Sequence, residues 1–191
     1  QRSLLALQKA EKMKKQAFAD RYPYGIFSCI RTMGHIYKSR GNFDLSAQYY
    51  QEALDYMLKN MPDQDPSQLY SSLAEYYRNT QKDYATALDY CEKALKSAKT
   101  ERNIAQAMIE KCLVLFRQGR IDEFNDCYKE AVQMADRCKL SASVSLLIAH
   151  ISKNILDKQY EQAHAHADQL SEKGLQQHAY IYECAKDYPN A

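Results

Sequence analysis

The chain of 191 residues is 46% hydrophobic and 26% charged with a formal net charge of +2, which is typical of one ordinary domain or a short stack of repeats. No long block of like charge occurs, so the sequence has no basic cluster of the kind that binds nucleic acid. The 5 glycines and 4 prolines are too few for a sheet protein, and no apolar run approaches the ~18 residues of a membrane helix.

Helix start and stop signals divide the chain into about ten predicted helices. Asp65, Pro66 and Gln68 offer an N-cap, a proline at the first helical position and a capping-box partner. Gly41 and Gly119 stand at helix ends, where glycine adopts the left-handed conformation at little cost. The predicted helices span residues 3–20, 25–40, 43–60, 66–80, 83–98, 101–118, 121–137, 141–157, 160–172 and 175–187.

A similar turn recurs along the chain inside each helix couple, which is the pair of antiparallel helices that forms one repeat. Phe43, Tyr84, Ile121 and Tyr160 mark this turn and lie 41, 37 and 39 residues apart. A period of roughly 40 residues with helical patterning is typical of stacked helix pairs, none of which buries its apolar side alone. We therefore predict an all-α solenoid of antiparallel helix pairs that forms a single domain over residues 1–191.

Small residues recur where the two helices of a couple are expected to cross. A close crossing leaves no room for a large side chain, so a small residue is needed at that point. Tyr50, Cys91 and Tyr128 are expected to fill the space beside these crossings. The small residues are Gly34, Ala74 and Cys112 on the first helices and Ala53, Ala94 and Ala131 on the second helices.

Both ends of the chain are expected to be parts of repeats, and we expect an excised segment because the chain begins with Gln1. The fourth repeat is the least regular, since either Asn154 or Ile155 takes its aromatic position and only 28 residues separate Tyr160 from the similar turn at Tyr188. The predicted organisation is a truncated second helix at 3–20, repeats at 25–60, 66–98, 101–137 and 141–172, and the start of a truncated repeat at 175–191.

Small and aromatic residues recur at fixed spacing in the first two full repeats, as Gly34-x-x-Tyr37, Gly41-x-Phe43 and Tyr50-x-x-Ala53, and then as Ala74-x-x-Tyr77, Tyr84-x-x-Ala87 and Ala94. This pattern resembles the signature of the tetratricopeptide repeat family. The resemblance implies a right-handed α-α superhelix whose first helices line a concave wall that binds a protein or peptide partner. The third repeat departs from the signature, with Leu115 for the usual aromatic residue and Phe124 for the usual small one.

The tyrosine-rich repeats, with phrases such as MGHIYKSRGNF at residues 33–43, are similar to the sensor regions of membrane-bound histidine kinases and related regulators of Bacteroides-type bacteria. This narrower resemblance implies the sensing region of a signal-transduction protein, in an extracytoplasmic, periplasmic location. The membrane span and the signalling module are then expected elsewhere in the parent chain. The alternative is a scaffold or oligomerisation segment of a cytoplasmic regulator.

The first helices are expected to line a groove that runs from polar and basic to apolar along the chain. Arg31, Lys38 and Arg78 are candidates for recognising a carboxylate, the alternative being ordinary solvated side chains. Leu113 and Phe116 are candidates for an apolar anchor site, unless they pack against neighbouring helices. The full predicted set is Arg31, His35, Lys38, Glu75, Arg78, Asn79, Ile109, Leu113, Phe116 and Arg117.

The sequence predicts no cofactor, no metal site and no catalytic residue. His164 and His166 point about 200° apart on a helix and do not easily share an ion, whereas His164 and Asp168 lie one turn apart. Cys29 and His35 are not positioned as a nucleophile and a base. None of the six cysteines forms a C-x-x-C pair, so they are expected to be small buried thiols.

These observations favour a binding module over a purely structural scaffold, and favour both over an enzyme built on a helical solenoid. The expected partner is a protein or peptide, or a small ligand in the groove. Nucleic acid is not an expected partner, and this segment itself is not expected to contact a membrane.

Overall fold

The computed structural model describes residues 2–140, 143–170 and 174–186. Within these ranges the chain is helical apart from turns and caps, and no strand occurs. None of the described helices combines the length and the hydropathy that crossing a membrane requires. The elements are α1 (Arg2–Ala19), α2 (Pro23–Ser39), α3 (Phe43–Asn60), α4 (Ser67–Tyr76), a π-helical segment (Tyr77–Gln81), α5 (Tyr84–Ser97), α6 (Glu101–Arg117), α7 (Ile121–Arg137), α8 (Val144–Leu156), α9 (Tyr160–Ala167) and α10 (Gly174–Lys186).

The predicted helix limits agree with the structure to within a few residues at most positions. Helix α4 begins at Ser67 with Pro66 as its N-cap, so the cap lies one residue later than predicted, although Asp65 Oδ1 still accepts from Ser67 N at 2.9 Å. Helix α9 ends early at Ala167, because Leu170 N turns back to donate to Ala167 O at 2.9 Å. The predicted limits at 141, 172 and 187 and the similar turn at Tyr188 lie outside the described residues.

One backbone hydrogen bond recurs at the turn of every full helix couple and fixes the register of the repeats. In the fourth couple its acceptor is the carbonyl of Asn154, so Asn154 and not Ile155 takes the aromatic position. The Asn154 amide also lies 3.0 Å from Nδ1 of His166 on the second helix. The equivalent bonds are Asn42 N to Tyr37 O at 3.0 Å, Asp83 N to Tyr77 O at 3.0 Å, Arg120 N to Leu115 O at 3.1 Å and Gln159 N to Asn154 O at 2.8 Å.

The π-helical segment Tyr77–Gln81 lies where the sequence predicts a continuous α-helix. Tyr77 stands seven residues before the turn residue Tyr84, whereas Tyr37 stands six residues before Phe43. The wider π turn absorbs the extra residue. It therefore accounts for one of the 41 residues in this turn-to-turn step.

Stacked tyrosines join the two helices of each couple in the first two full repeats. The Tyr37 and Tyr49 rings lie 5.3 Å apart at an interplanar angle of 6°, and the Tyr77 and Tyr90 rings lie 5.4 Å apart at 16°. Aromatic pairs at this separation add about 0.5–1.5 kcal/mol beyond the area they bury. The tyrosine richness of the chain thus has a structural role.

The chain divides into two compact units, of which unit 1 is Gln1–Lys99. Within unit 1, α1 packs on α2, α2 pairs with α3, α3 also contacts α4, and α4 pairs with α5. The predicted crossing residues Ala53, Ala74 and Ala94 are all 0% exposed, as a close helix crossing requires, and so is the signature residue Ala87. The core of this unit contains Ile26, Phe27, Ile30, Tyr50, Leu54, Met57, Leu69 and Leu73.

Gly34 shows why the first crossing needs a residue without a side chain. A β-carbon there would lie 2.7 Å from the ring of Tyr50, which is itself only 3% exposed. Among the aromatic residues of the signature, Phe43 is the most exposed, because it opens α3 and remains 48% exposed. Its equivalent Tyr84 is half-buried.

Unit 2 is Thr100–Ala191, and its described helices pair as α6 with α7 and α8 with α9, while α10 packs on α9. Ala131 is 1% exposed, as predicted for a crossing residue. Phe124, which replaces a small residue at its position, is 0% exposed and packs between Phe116 and Tyr128 with ring centroids 5.6 Å from each. A second cluster contains Leu147, Ile151, Ile155, Ala163, Ala167, Leu170 and Ile181.

Candidate binding surface

The polar face of α2 brings together three of the predicted groove residues. Arg31, His35 and Lys38 are separated by four and three positions, the spacing that places side chains on one side of a helix. Lys38 reaches across to α4, where its Nζ lies 2.5 Å from Oε2 of Glu75. This ion pair joins the first helices of two successive repeats and fixes one edge of the surface.

His35 is held at this surface by a core tyrosine. Its Nδ1 lies 2.9 Å from the hydroxyl of Tyr50, and the two rings meet edge to face at 5.3 Å. Burial of that edge of the ring, and then the charges of Arg31 and Lys38, lower the pKa of His35 below its ordinary value of 6.5. Burial also raises the pKa of the Tyr50 phenol, so the phenol stays protonated in this contact.

Arg31 is positioned by an aromatic ring and not by an anion. Its guanidinium carbon lies 5.2 Å from the centroid of Phe27, one turn earlier on α2. The Arg31 Nε is buried and has no hydrogen-bond partner among the described residues. A cation stacked on an aromatic face is oriented without having its charge neutralised. Arg31 is therefore a fixed positive group that can take a carboxylate.

The prediction that Arg78 is an exposed cation of the groove is wrong. Arg78 is 6% exposed, and its Nη1 donates to Oδ1 of the exposed neighbour Asn79 at 2.8 Å. The physical reason is the extra residue of the π-helical segment. Arg78 lies inside this segment, whose wider turn gives its side chain a different direction from that of Lys38, the residue that follows Tyr37 in α2.

The predicted apolar anchor site on α6 is also wrong for Leu113, which is 2% exposed, and the predicted groove residue Ile109 is 0% exposed. Four consecutive residues, 112–115, are buried, and four successive positions point in all directions around a helix. This part of α6 is therefore enclosed and offers no open face. Phe116 is half-buried against Phe124, while the exposed Arg117 places its guanidinium carbon 5.4 Å from the Tyr180 ring centroid.

His164 and His166, the histidines considered as metal ligands, contact two other histidines, His178 and His150 respectively. Nδ1 of His164 lies 2.6 Å from Nδ1 of His178, and Nε2 of His178 lies 3.0 Å from Oδ1 of Asp168. The described residues contain no group of three or more side chains placed to hold a metal ion. Cys29, the other candidate, is buried, and burial raises the pKa of its thiol, which makes it a poor nucleophile.

The sequence reasoning missed two contacts that organise the surface. The Lys38–Glu75 ion pair spans 37 positions, close to the repeat period, so opposite charges one period apart are the signal that could have found it. The Tyr50–His35 contact had no such signal, because it joins a core position to a surface position. An open depression on unit 1, between the end of α1 and one side of α3, was also not predicted, because the expected groove was placed on the first helices. It is lined by Phe18, Gln48, Gln51, Glu52, Asp55, Tyr56, Lys59 and Asn60.

Comparison with known proteins agrees with this architecture. Residues 26–100 match the family model described as tetratricopeptide repeat. Among solved structures, the crystal structure of BtubC (BKLC) from P. vanneervenii is similar, with a TM-score of 0.64 and 17% identity over 98% of this chain and 86% of that chain. No curated protein matches the chain. The likeness in fold confirms the predicted all-α solenoid of helix pairs, and the family match supports the tetratricopeptide resemblance for α2 to α5.

Proposed function

We propose that this chain is a protein-binding module, and that α2 of unit 1 holds a carboxylate in a peptide segment of the partner. Tetratricopeptide repeats, which residues 26–100 match, generally mediate interactions between proteins. The observation that carries the proposal is the Arg31 guanidinium, which is stacked on Phe27 and has no carboxylate partner among the described residues.

The chemistry of this surface suits a carboxylate from an acidic side chain or a chain terminus. The planar guanidinium of arginine matches the two oxygens of a carboxylate, and stacking on Phe27 restrains it before the partner arrives. A side chain that is already oriented loses less entropy on binding. Lys38, two turns further along α2 on the same side, is already paired with Glu75, so the proposed contact rests on Arg31.

A charge reversal at Arg31 tests the proposal. Acidic peptides that bind the chain on a peptide array would be titrated calorimetrically, beside matched peptides with Asn and Gln in place of Asp and Glu. Arg31→Glu is expected to weaken binding roughly tenfold to a hundredfold, since a hydrogen bond to a charged group contributes about 1.5–3 kcal/mol. Arg31→Lys is expected to lose less affinity than Arg31→Glu, because lysine keeps the positive charge although it lacks the planar guanidinium.

Lys9→Glu is the matched control, because Lys9 is exposed on α1 and the substitution changes the net charge equally. It is expected to bind as the wild type does. A folded Arg31→Glu variant with unchanged affinity, or equal affinity for the acidic and amide peptides, would contradict the proposal.

A sensing role in a bacterial signal-transduction protein, with an extracytoplasmic location, stays a prediction that rests on the narrower sequence resemblance. It requires a membrane span and a signalling module in the parent chain, so the flanking gene sequence tests it. A parent chain without either would contradict it. The scaffold alternative, with a cytoplasmic location, requires self-association of the chain without peptide binding, which light scattering of the isolated chain would measure.

A further inference from the structure

Two cysteines meet across the first helix couple of unit 2. Cys112 of α6 and Cys127 of α7 bring their sulfurs to 2.9 Å, with the Cys112 thiol donating to Cys127 Sγ. Cys112 stands in the crossing position that Gly34 and Ala74 occupy in the earlier repeats. Because a disulfide bond is about 2.0 Å long, the two sulfurs need to approach by only about 1 Å to form one.

The two thiols differ in a way that assigns them different roles. Cys112 is 0% exposed, whereas Cys127 is partly exposed. The hydrogen bond from Cys112, with a smaller contribution from the charge of Lys111, lowers the pKa of the Cys127 thiol, against the opposing effect of burial. A thiolate is the reactive form of cysteine, so Cys127 is the sulfur that reacts first.

We propose that Cys127 is an oxidation site, and that Cys112 resolves its oxidised form into a disulfide that joins α6 to α7. The co-reactant is a peroxide, such as hydrogen peroxide. The Cys127 thiolate attacks one peroxide oxygen, the O–O bond breaks, and the departing hydroxide takes a proton to leave as water, which produces a sulfenic acid.

Cys112 then attacks the Cys127 sulfur, the S–O bond breaks, and the thiol proton of Cys112 leaves with the hydroxyl group as a second water. Overall, two thiols and one hydrogen peroxide give one disulfide and two waters. The site lies in unit 2, whereas the proposed carboxylate site lies in unit 1, so the two proposals are tested by different readouts.

The test uses the whole chain treated with hydrogen peroxide and then with N-ethylmaleimide to block the remaining thiols. Trypsin cleaves after Lys111, Arg117, Arg120 and Lys129, which places the two cysteines on separate short peptides, residues 112–117 and 121–129. Mass spectrometry is expected to find these two peptides linked, at the summed mass less two hydrogens. A reductant is expected to separate them.

Cys138 provides the matched control, because it is also partly exposed. Cys138→Ser is expected to keep the linked peptides, and Cys127→Ser to abolish them. Cys112→Ser is expected to stop the reaction at the sulfenic acid of Cys127, which dimedone traps. In the reduced wild type, Cys127 is expected to react with N-ethylmaleimide faster than Cys138.

The wild-type peptide map decides the outcome even where a serine variant fails to fold. The proposal is overturned if peptides 112–117 and 121–129 stay unlinked under peroxide, or if Cys127 links only to another chain. Equal alkylation rates at Cys127 and Cys138 would overturn the assignment of Cys127 as the reactive sulfur.

Discussion

At the scale of single residues, the contact between Gly34 and the Tyr50 ring connects the core to the candidate binding surface. The ring that excludes a β-carbon at Gly34 also presents its hydroxyl to His35 at 2.9 Å. A change at the helix crossing therefore reaches the polar face of α2 through one side chain. Packing and surface chemistry are coupled at this point.

Gly34→Ala is expected to destabilise the protein. Overpacking typically costs about 1–3 kcal/mol, and the better helix propensity of alanine offsets about 1 kcal/mol of this, so the net loss is up to about 2 kcal/mol. Chemical unfolding measures the change. Gly25→Ala is the comparison: its β-carbon would meet the ring of Tyr22, which is 54% exposed, and would lie 3.2 Å from the β-carbon of Ala17, so a smaller loss is expected because the exposed ring can move. Equal stability of the two variants would contradict the packing argument.

His150 makes the stability of unit 2 depend on pH. Burial, and then the nearby His166, lower its pKa below the ordinary value of 6.5, while Asp136 opposes them. Its Nδ1 also lies 2.6 Å from the Tyr128 hydroxyl. Because the unfolded chain binds the proton more readily, the stabilisation is complete above pH 6.5 and is lost as the pH falls through the lower pKa of the folded state.

We therefore expect the free energy of unfolding to fall as the pH decreases from about 6.5 to about 5, the range below the unperturbed histidine pKa. His150→Gln is expected to show a smaller fall, with the part due to His35 remaining. Urea unfolding at several pH values measures both chains. An unchanged pH dependence in the variant would show that His150 does not contribute.

At the scale of elements, the ends of the first helices share one backbone conformation but not one residue type. Gly41 and Gly119 have φ of 74° and 70°, and Lys82 occupies the equivalent place at φ of 55°. A left-handed residue with a β-carbon is strained by roughly 1–2 kcal/mol. Glycine would therefore adopt the backbone conformation at position 82 with less strain than lysine does.

Lys82→Gly is expected to raise the free energy of unfolding by up to about 1 kcal/mol, since the relief of strain exceeds the added entropy of the unfolded chain. Gly41→Ala is the reverse control, because nothing lies within 4 Å of a β-carbon there and only the backbone conformation opposes it. It is expected to lower stability by a similar amount. Changes of the same sign in both variants would contradict this account.

The sequence predicted the helix couples well because their order depends on local periodicity. It identified the crossing residues Ala53 and Ala94 correctly, since a recurring small residue has one simple structural cause. It failed for Leu113, because the enclosure of a helix face depends on every neighbouring element and not on the period of one helix. It failed for Arg78 because one extra residue shifted the register after Tyr77.

At the scale of the whole molecule, the two units apply the same helix-couple plan to different chemistry. Unit 1 carries the stacked tyrosines and the polar face of α2, whereas unit 2 carries paired histidines and the thiol pair. In the fourth couple, Asn154 and His166 stand where the first couple stacks Tyr37 on Tyr49. Because the backbone register is the same in each couple, different side-chain contacts can join its two helices without a change of fold.

The most direct test of the binding proposal is an NMR titration of the chain with an acidic peptide that binds it, observing the Arg31 side-chain Nε–H together with the backbone amides. Because that Nε is buried beside Phe27, its proton is expected to exchange slowly enough to be seen. The account predicts that the peptide shifts this signal together with the amides around His35 and Lys38. Shifts confined to the depression around Phe18 and Tyr56, or to unit 2, would contradict it.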